Sequence, residues 1–167
     1  ICKQILTHVP DQPDALNILA LAERATKKWG KAEGIARHGI EIHPDNAPLY
    51  NTLGLITFDQ RRLGEAEDAF RQAVRCKPNK DDFRINLARV LHEKGSLEDA
   101  AALLTAIIDA RSTLPNPFLL RAGVFIERGE VGAACADLDG AEDRGADPSD
   151  LATARAQCAF ASGDLES

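Results

Sequence analysis

Four cysteines, four histidines and 26 carboxylates are the side chains with which this 167-residue chain could do chemistry. Metal capture needs such groups close together, as CxxC pairs or with a histidine nearby on the same face. Cys2, Cys76, Cys135 and Cys158 form no CxxC pair and have no histidine cluster beside them. Cys135 and Cys158 read as small hydrophobes on core-facing or half-buried positions, and Cys76 as partly exposed near a helix end. His38 and His43 lie five residues apart across an expected helix end with no third ligand, and read as surface histidines. His92 and Glu93 are adjacent, and adjacent residues on a helix point to different faces, so no acid–base pair is expected. The run DLDGAEDRGADPSD, Asp137 to Asp150, has a calcium-loop composition without the EF-hand spacing and reads as a solvated acidic edge. There is no glycine-rich phosphate loop and no GxSxG. The expectation is a non-enzymatic protein without cofactor or metal.

The elements that position these residues follow from composition. Aromatics make up 5% of the chain while alanine is abundant, which disfavours strands and leaves helix as the default. A net charge of -6 argues against nucleic acid as a partner, since phosphate affinity comes from a cationic face. The charge is uneven: residues 1–80 carry 12 basic and 10 acidic side chains, whereas residues 81–167 carry 8 and 16, so the later part would prefer a basic partner. No apolar run approaches the roughly 18 residues that span a bilayer, and residues 1–12 lack the pattern of a signal peptide. A cytoplasmic setting fits the thiols, and a leader preceding this stretch would make it periplasmic. Methionine is absent even at position 1, so the chain reads as an internal fragment.

The chain repeats itself every 34 residues without insertion, in segments that start at Pro13, Ala47, Asp81, Pro115 and Ser149. Position 8 of each segment is small: Ala20, Gly54, Ala88, Ala122, Ala156. Position 20 holds Ala32, Ala66, Ala100 and Ala134, and position 17 holds Trp29, Leu63, Leu97, Val131 and Leu165. Ala36, Phe70, Leu104 and Leu138 fill position 24, and Ala22, Ile56, Val90, Val124 and Cys158 fill position 10, both read as core columns. Apolar spacing of three and four within a segment, as at Tyr50, Leu53, Gly54 and then Ala66, Phe70, Ala73, marks two successive amphipathic helices. Gly95 and Gly129 stand where a left-handed helix end is wanted, and Pro44 and Pro78 stop the second helices.

Tyr50, Leu53, Gly54, Ala66, Phe70, Ala73 and Pro78 together give the pattern of the tetratricopeptide repeat, which this chain resembles along its whole length. Departures are Arg84 and Ser112 in the third segment, Arg121 at position 7 of the fourth, and a proline displaced to Pro148. The resemblance implies an all-α, right-handed superhelical solenoid of antiparallel helix-turn-helix hairpins. It would comprise a second helix of an earlier repeat (1–12), four full repeats (13–46, 47–80, 81–114, 115–148) and a first helix of a further one (149–167). Each hairpin needs its neighbours to bury its apolar faces, and exposed repeat ends would allow self-association.

In this family the first helices line a concave groove through positions 2, 5, 6, 9, 12 and 13. Here the expected groove residues are Asn17, Leu21, Asn51, Leu55, Phe58, Asn86, Arg89 and His92. Apolar side chains would supply contact area there, and amides would satisfy the N–H and C=O groups of a bound peptide. The family's lysine-based carboxylate clamp is missing, since Asn17, Asn51 and Ile85 occupy position 5. The resemblance thus implies an adaptor or scaffold that binds a protein or peptide segment, without membrane insertion. The alternative is a substrate-recognition arm of a larger enzyme, as in some glycosyltransferases and sulfotransferases.

Overall fold

Three of the five first helices begin where a polar side chain meets a proline. Gln12 Oε1 accepts from the Ala15 N–H (2.6 Å) at the start of α1 (Pro13–Ala25). Asn46 Oδ1 accepts from the Leu49 N–H (3.1 Å) at the start of α3 (Ala47–Asp59). Asp147 Oδ1 accepts from the Ser149 N–H (2.8 Å) at the start of α9 (Pro148–Ser162). In each case a side chain fills one of the orphan donors of the first turn, and proline lacks the donor that would have gone unpaired. These helices belong to a computed structural model that describes residues 11–110 and 113–163. The remaining helices are α2 (Trp29–Ile42), α4 (Leu63–Cys76), α5 (Asp81–Glu93), α6 (Leu97–Asp109), α7 (Asn116–Glu127) and α8 (Val131–Glu142), and the described residues contain no strand. The expected helix before Pro13 falls mostly outside the described residues, as do Cys2, Ser112 and Leu165.

The turn between paired helices is the same four times over. Lys27, Arg61, Gly95 and Gly129 all take a left-handed φ, of 58°, 61°, 78° and 76°. The next residue's N–H then reaches back to a carbonyl one turn before the helix end: Lys28 to Glu23 (3.0 Å), Arg62 to Thr57 (2.9 Å), Ser96 to Leu91 (2.9 Å), Glu130 to Phe125 (2.8 Å). This closes the helix end without a side-chain cap on the helix that follows. The glycines at 95 and 129 were the expected signal; at 27 and 61 a lysine and an arginine adopt the conformation that glycine takes most readily. The second helices α2 and α4 stop two residues before proline. His43 (ψ 73°) and Lys77 (ψ 82°) leave the helical region ahead of Pro44 and Pro78, because a proline's Cδ crowds a preceding helical residue.

The chain falls into two compact units, residues 1–90 and 91–167, with the division inside α5. In the first unit α1 packs on α2 and α3 on α4, with further contact between α2 and α3 and between α1 and α3. Ala20, Ala32, Ala36, Leu53, Ile56 and Ala69 form one core cluster there. Gly54 faces the ring of Phe70, and a Cβ added to it would lie 2.6 Å from ring carbons, which is why the smallest residue stands at that crossing. Phe83 of α5 closes a second cluster with Ala47 and Ala73. In the second unit α7 packs on α6, α8 and α9, and α8 on α9. Phe118, Ala122, Leu138, Ala141, Leu151 and Cys158 supply its core.

Two columns end differently from their expectation. Ala22 and Ala156 are exposed, although they occupy positions 10 and 8. Position 10 faces the preceding hairpin, as Ile56 does against Ala32 and Ala36, and before Ala22 the chain lies outside the described residues. Position 8 faces its own second helix, as Gly54 does against α4, and after α9 description stops at Gly163.

Candidate functional site

The expected groove residues of the first unit lie on α1, α3 and α5, and polar side chains connect those helices. Thr52 Oγ1 donates to Asn17 Oδ1 (2.6 Å), Arg24 pairs through two nitrogens with Asp59 (2.7 and 3.1 Å), and Asn86 Nδ2 donates to Asn51 Oδ1 (2.8 Å). In every case the partners are 35 residues apart, one more than the repeat period. Position 5 of one first helix therefore meets position 6 of the next, and position 12 meets position 13. The asparagines hold their neighbours in register through one bond each, yet an amide has two donors and an acceptor with two lone pairs, so Asn17 and Asn51 keep their N–H groups for another partner.

Leu21, Leu55 and Phe58 are half-buried on the same helices, as is Arg89 one turn after Asn86. Half-burial keeps the apolar side chains ordered while leaving surface to cover. His92 belongs to the second unit. There its Nε2 lies 2.8 Å from Glu127 Oε1, again 35 residues on, and it lines a hollow of about 900 Å³ with Gly123, Ile126, Gln157 and Phe160. Phe160 is 77% exposed, the most exposed large hydrophobic residue described.

Several charged groups have partners that their sequence neighbourhood did not indicate. The acidic run is not wholly solvated: Asp137 is buried, and Arg121 grips both of its oxygens at 2.8 and 2.7 Å while donating to Thr105 Oγ1 at 2.9 Å. The off-pattern Arg121 and this aspartate thus explain each other. Glu23, also buried, is held well below the usual glutamate range by Lys31, whose Nζ is 2.7 Å away. Arg62 bridges Glu33 on α2 to Glu65 on α4, at 2.7 and 2.6 Å, and depresses both carboxyls. His38 and His43 both approach Asp11, through Oδ1 at 3.3 Å and the carbonyl at 2.6 Å. Cys135 is exposed rather than core-facing, and its sulfur meets that of buried Cys158. Among the described residues no three metal-ligating side chains come together, and no helix is long and apolar enough to cross a membrane.

The tetratricopeptide repeat family model matches residues 51–115. A TPR repeat-containing protein of Pseudomonas aeruginosa is 31% identical over 77 residues, 45% of this chain, and the chain spans only 13% of that relative's length. Solved structures similar to this fold include PilW, a widely conserved type IV pilus biogenesis factor (TM-score 0.87, 21% identity, covering 99% of this chain and 77% of PilW). They also include pilF of Pseudomonas aeruginosa (TM-score 0.83, 19% identity, 98% and 74%). YrrB, a TPR protein with an unusual peptide-binding site, has a TM-score of 0.76 at 13% identity, covering 99% of this chain and 85% of its own. The 34-residue hairpins, their shared left-handed turn and these matches give the chain the fold of tetratricopeptide repeat proteins, with the family's own sequence pattern over residues 51–115. Such folds serve protein–protein interaction and are typically not catalytic.

Proposed function

We propose that this chain is an adaptor that holds an extended segment of a partner protein against the first helices of its repeats. The reading rests on the face of α1, α3 and α5: half-buried Leu21, Leu55 and Phe58 beside Asn17, Asn51 and Asn86, whose amides are held in place by the inter-helix ladder. Preorganised amides can pair with peptide N–H and C=O groups without first losing rotamer freedom, and the apolar side chains contribute area. Arg89 adds a cation to this face. In the second unit, His92 and the hollow beside Phe160 form a second contact patch of the same mixed character. The peptide-binding site ascribed to YrrB supports the reading by analogy of fold.

Two compartments fit an adaptor of this kind. A cytoplasmic one keeps the cysteines as thiols. The likeness to a type IV pilus biogenesis factor supports a periplasmic one, in which the same chain would meet oxidants.

The test is selection of binding peptides from a displayed library, followed by fluorescence anisotropy of the selected peptides. Asn51→Ala with Phe58→Ala should weaken the best binders at least roughly tenfold, since truncating a contact aromatic commonly costs over 1 kcal/mol. Unchanged affinity in a double variant of native helicity refutes this face as the binding site.

A further inference from the structure

Cys135 Sγ on α8 and Cys158 Sγ on α9 lie 3.2 Å apart. The two residues are 23 positions apart in sequence, which is why no spacing motif announced them. Their surroundings differ. Cys158 is 3% exposed, packed into the core with Leu138 and Leu151, and its sulfur approaches the Val131 carbonyl at 3.7 Å. Cys135 is exposed and opens onto a hollow of about 390 Å³ lined by Val131, Asp139, Arg155 and Ala159. Cys158 borders the same hollow but is almost wholly covered, so a reagent from solvent meets the Cys135 sulfur first. A disulfide needs its sulfurs ~2.05 Å apart, so closing this pair asks for a movement of roughly 1 Å, within what small side-chain and helix adjustments supply.

We propose that Cys135 and Cys158 are a paired thiol site that is oxidised by small-molecule disulfides and then fastens α9 to α8. The Cys135 thiolate attacks one sulfur of a disulfide R–S–S–R, forming a Cys135–S–S–R bond and releasing one R–S⁻, which takes up a proton. The Cys158 sulfur then attacks Cys135 Sγ, its proton going to water. The Cys135–S–R bond breaks, the second R–S⁻ leaves, and the Cys135–Cys158 bond forms. Two protein thiols are oxidised and one external disulfide is reduced to two thiols. The order follows from accessibility and from acidity: burial, with the neighbouring Cys135, pushes the Cys158 thiol up to about 11, so it is the slower nucleophile until the mixed disulfide is beside it.

The bond would close a loop containing all of the α8–α9 connection and would hold the helix that carries Gln157 and Phe160, one wall of the His92 hollow. Oxidation would therefore stiffen a contact surface of the second unit without adding a residue to it. The proposal is independent of peptide binding in the first unit.

The experiment uses the full chain, reduced, desalted and exposed to oxidised glutathione, then acid-quenched and read by intact mass and peptide mapping. The wild type should lose two hydrogens in mass, with the linkage mapped to Cys135 and Cys158. Cys158→Ser should instead trap glutathione on Cys135, and Cys135→Ser should yield no linkage to Cys158. Hydrogen exchange of the α9 amides should slow by up to roughly 300-fold on oxidation, the size expected for cross-linking a loop of this length. Cys158→Ala provides the same trap should a buried serine hydroxyl disturb the fold. Glutathione that stays on Cys135 in the wild type, a principal linkage through Cys2 or Cys76, or equal oxidation of wild type and Cys135→Ser each overturns the proposal.

Discussion

Replacing Arg121 by leucine restores the residue type that Leu19, Leu53 and Leu87 hold at the same repeat position, yet it should destabilise the protein. Arg121 joins three helices: both Asp137 oxygens on α8 accept from it, Thr105 on α6 accepts a third bond, and its guanidinium carbon stands 5.5 Å from the Phe125 ring centre on α7. The side chains are 15% and 6% exposed, so removing the arginine leaves a nearly dry carboxylate without its counter-ion. Breaking a buried pair costs about 3–5 kcal/mol, and the residual exposure of Arg121 puts Arg121→Leu near the lower figure. Asp137→Leu should cost about 2 kcal/mol, because a long guanidinium can turn toward water where a short carboxylate cannot. The double variant leaves no orphaned charge and should lose no more than about 2 kcal/mol, so the single costs exceed the double by about 3 kcal/mol. Urea unfolding of the four proteins, followed by circular dichroism and completed by the two single-variant melting curves, measures the cycle. Additive costs would show that the pair is decoration and that Arg121 is a tolerated surface substitution.

Other perturbations test the fold at single positions. Gly54→Ala should destabilise by about 1–3 kcal/mol, since its Cβ would enter the fully buried Phe70 ring, whereas Gly34→Ala, which meets nothing within 4 Å, should stabilise α2 by up to about 1 kcal/mol. Chemical denaturation orders the two, and a reversed order contradicts the packing at Gly54. Lys27→Gly should raise the melting temperature by relieving a left-handed lysine, and Gly95→Ala should lower it by introducing the same strain; a fall with Lys27→Gly refutes the turn geometry. Arg62 holds the Glu33 and Glu65 carboxyls below the ordinary glutamate value of 4.5 in the folded protein. Their contribution to stability is therefore present above pH 4.5 and disappears as pH falls below it through the lower folded values. Melting temperatures taken from pH 6 to pH 3 should fall less steeply in Arg62→Ala than in the wild type, and parallel curves would show that Arg62 does not depress these carboxyls.

Most of the fold was legible because repetition multiplies weak signals. A lone alanine says little, but Ala32, Ala66, Ala100 and Ala134 at equal spacing require a close helix crossing, and all four are fully buried. The glycine turns at 95 and 129 were equally plain, while those at 27 and 61 were hidden because lysine and arginine carry no turn signal of their own. The tertiary pairings were the hard part. Arg121 and Asp137 are 16 residues apart, and Cys135 and Cys158 are 23 apart; neither spacing matches the repeat or a helix turn, so only folding brings them together. The inter-helix ladder was within reach of the sequence: its partners fall one residue beyond the period, an offset visible once position 5 of one repeat is read against position 6 of the next. The ladder also gives Asn17, Asn51 and Asn86 a structural task beside the binding task expected of them.

Whether the first-helix face of the first unit receives a partner is the central question. Amide chemical-shift mapping answers it most directly, with a library-selected peptide titrated into ¹⁵N-labelled protein. Shifts concentrated on Asn17, Leu21, Asn51, Leu55, Phe58 and Asn86, including the side-chain amide signals of Asn17 and Asn51, are the predicted result. Shifts concentrated instead on the second helices, around Arg37, Glu65 and Gln72, would contradict it.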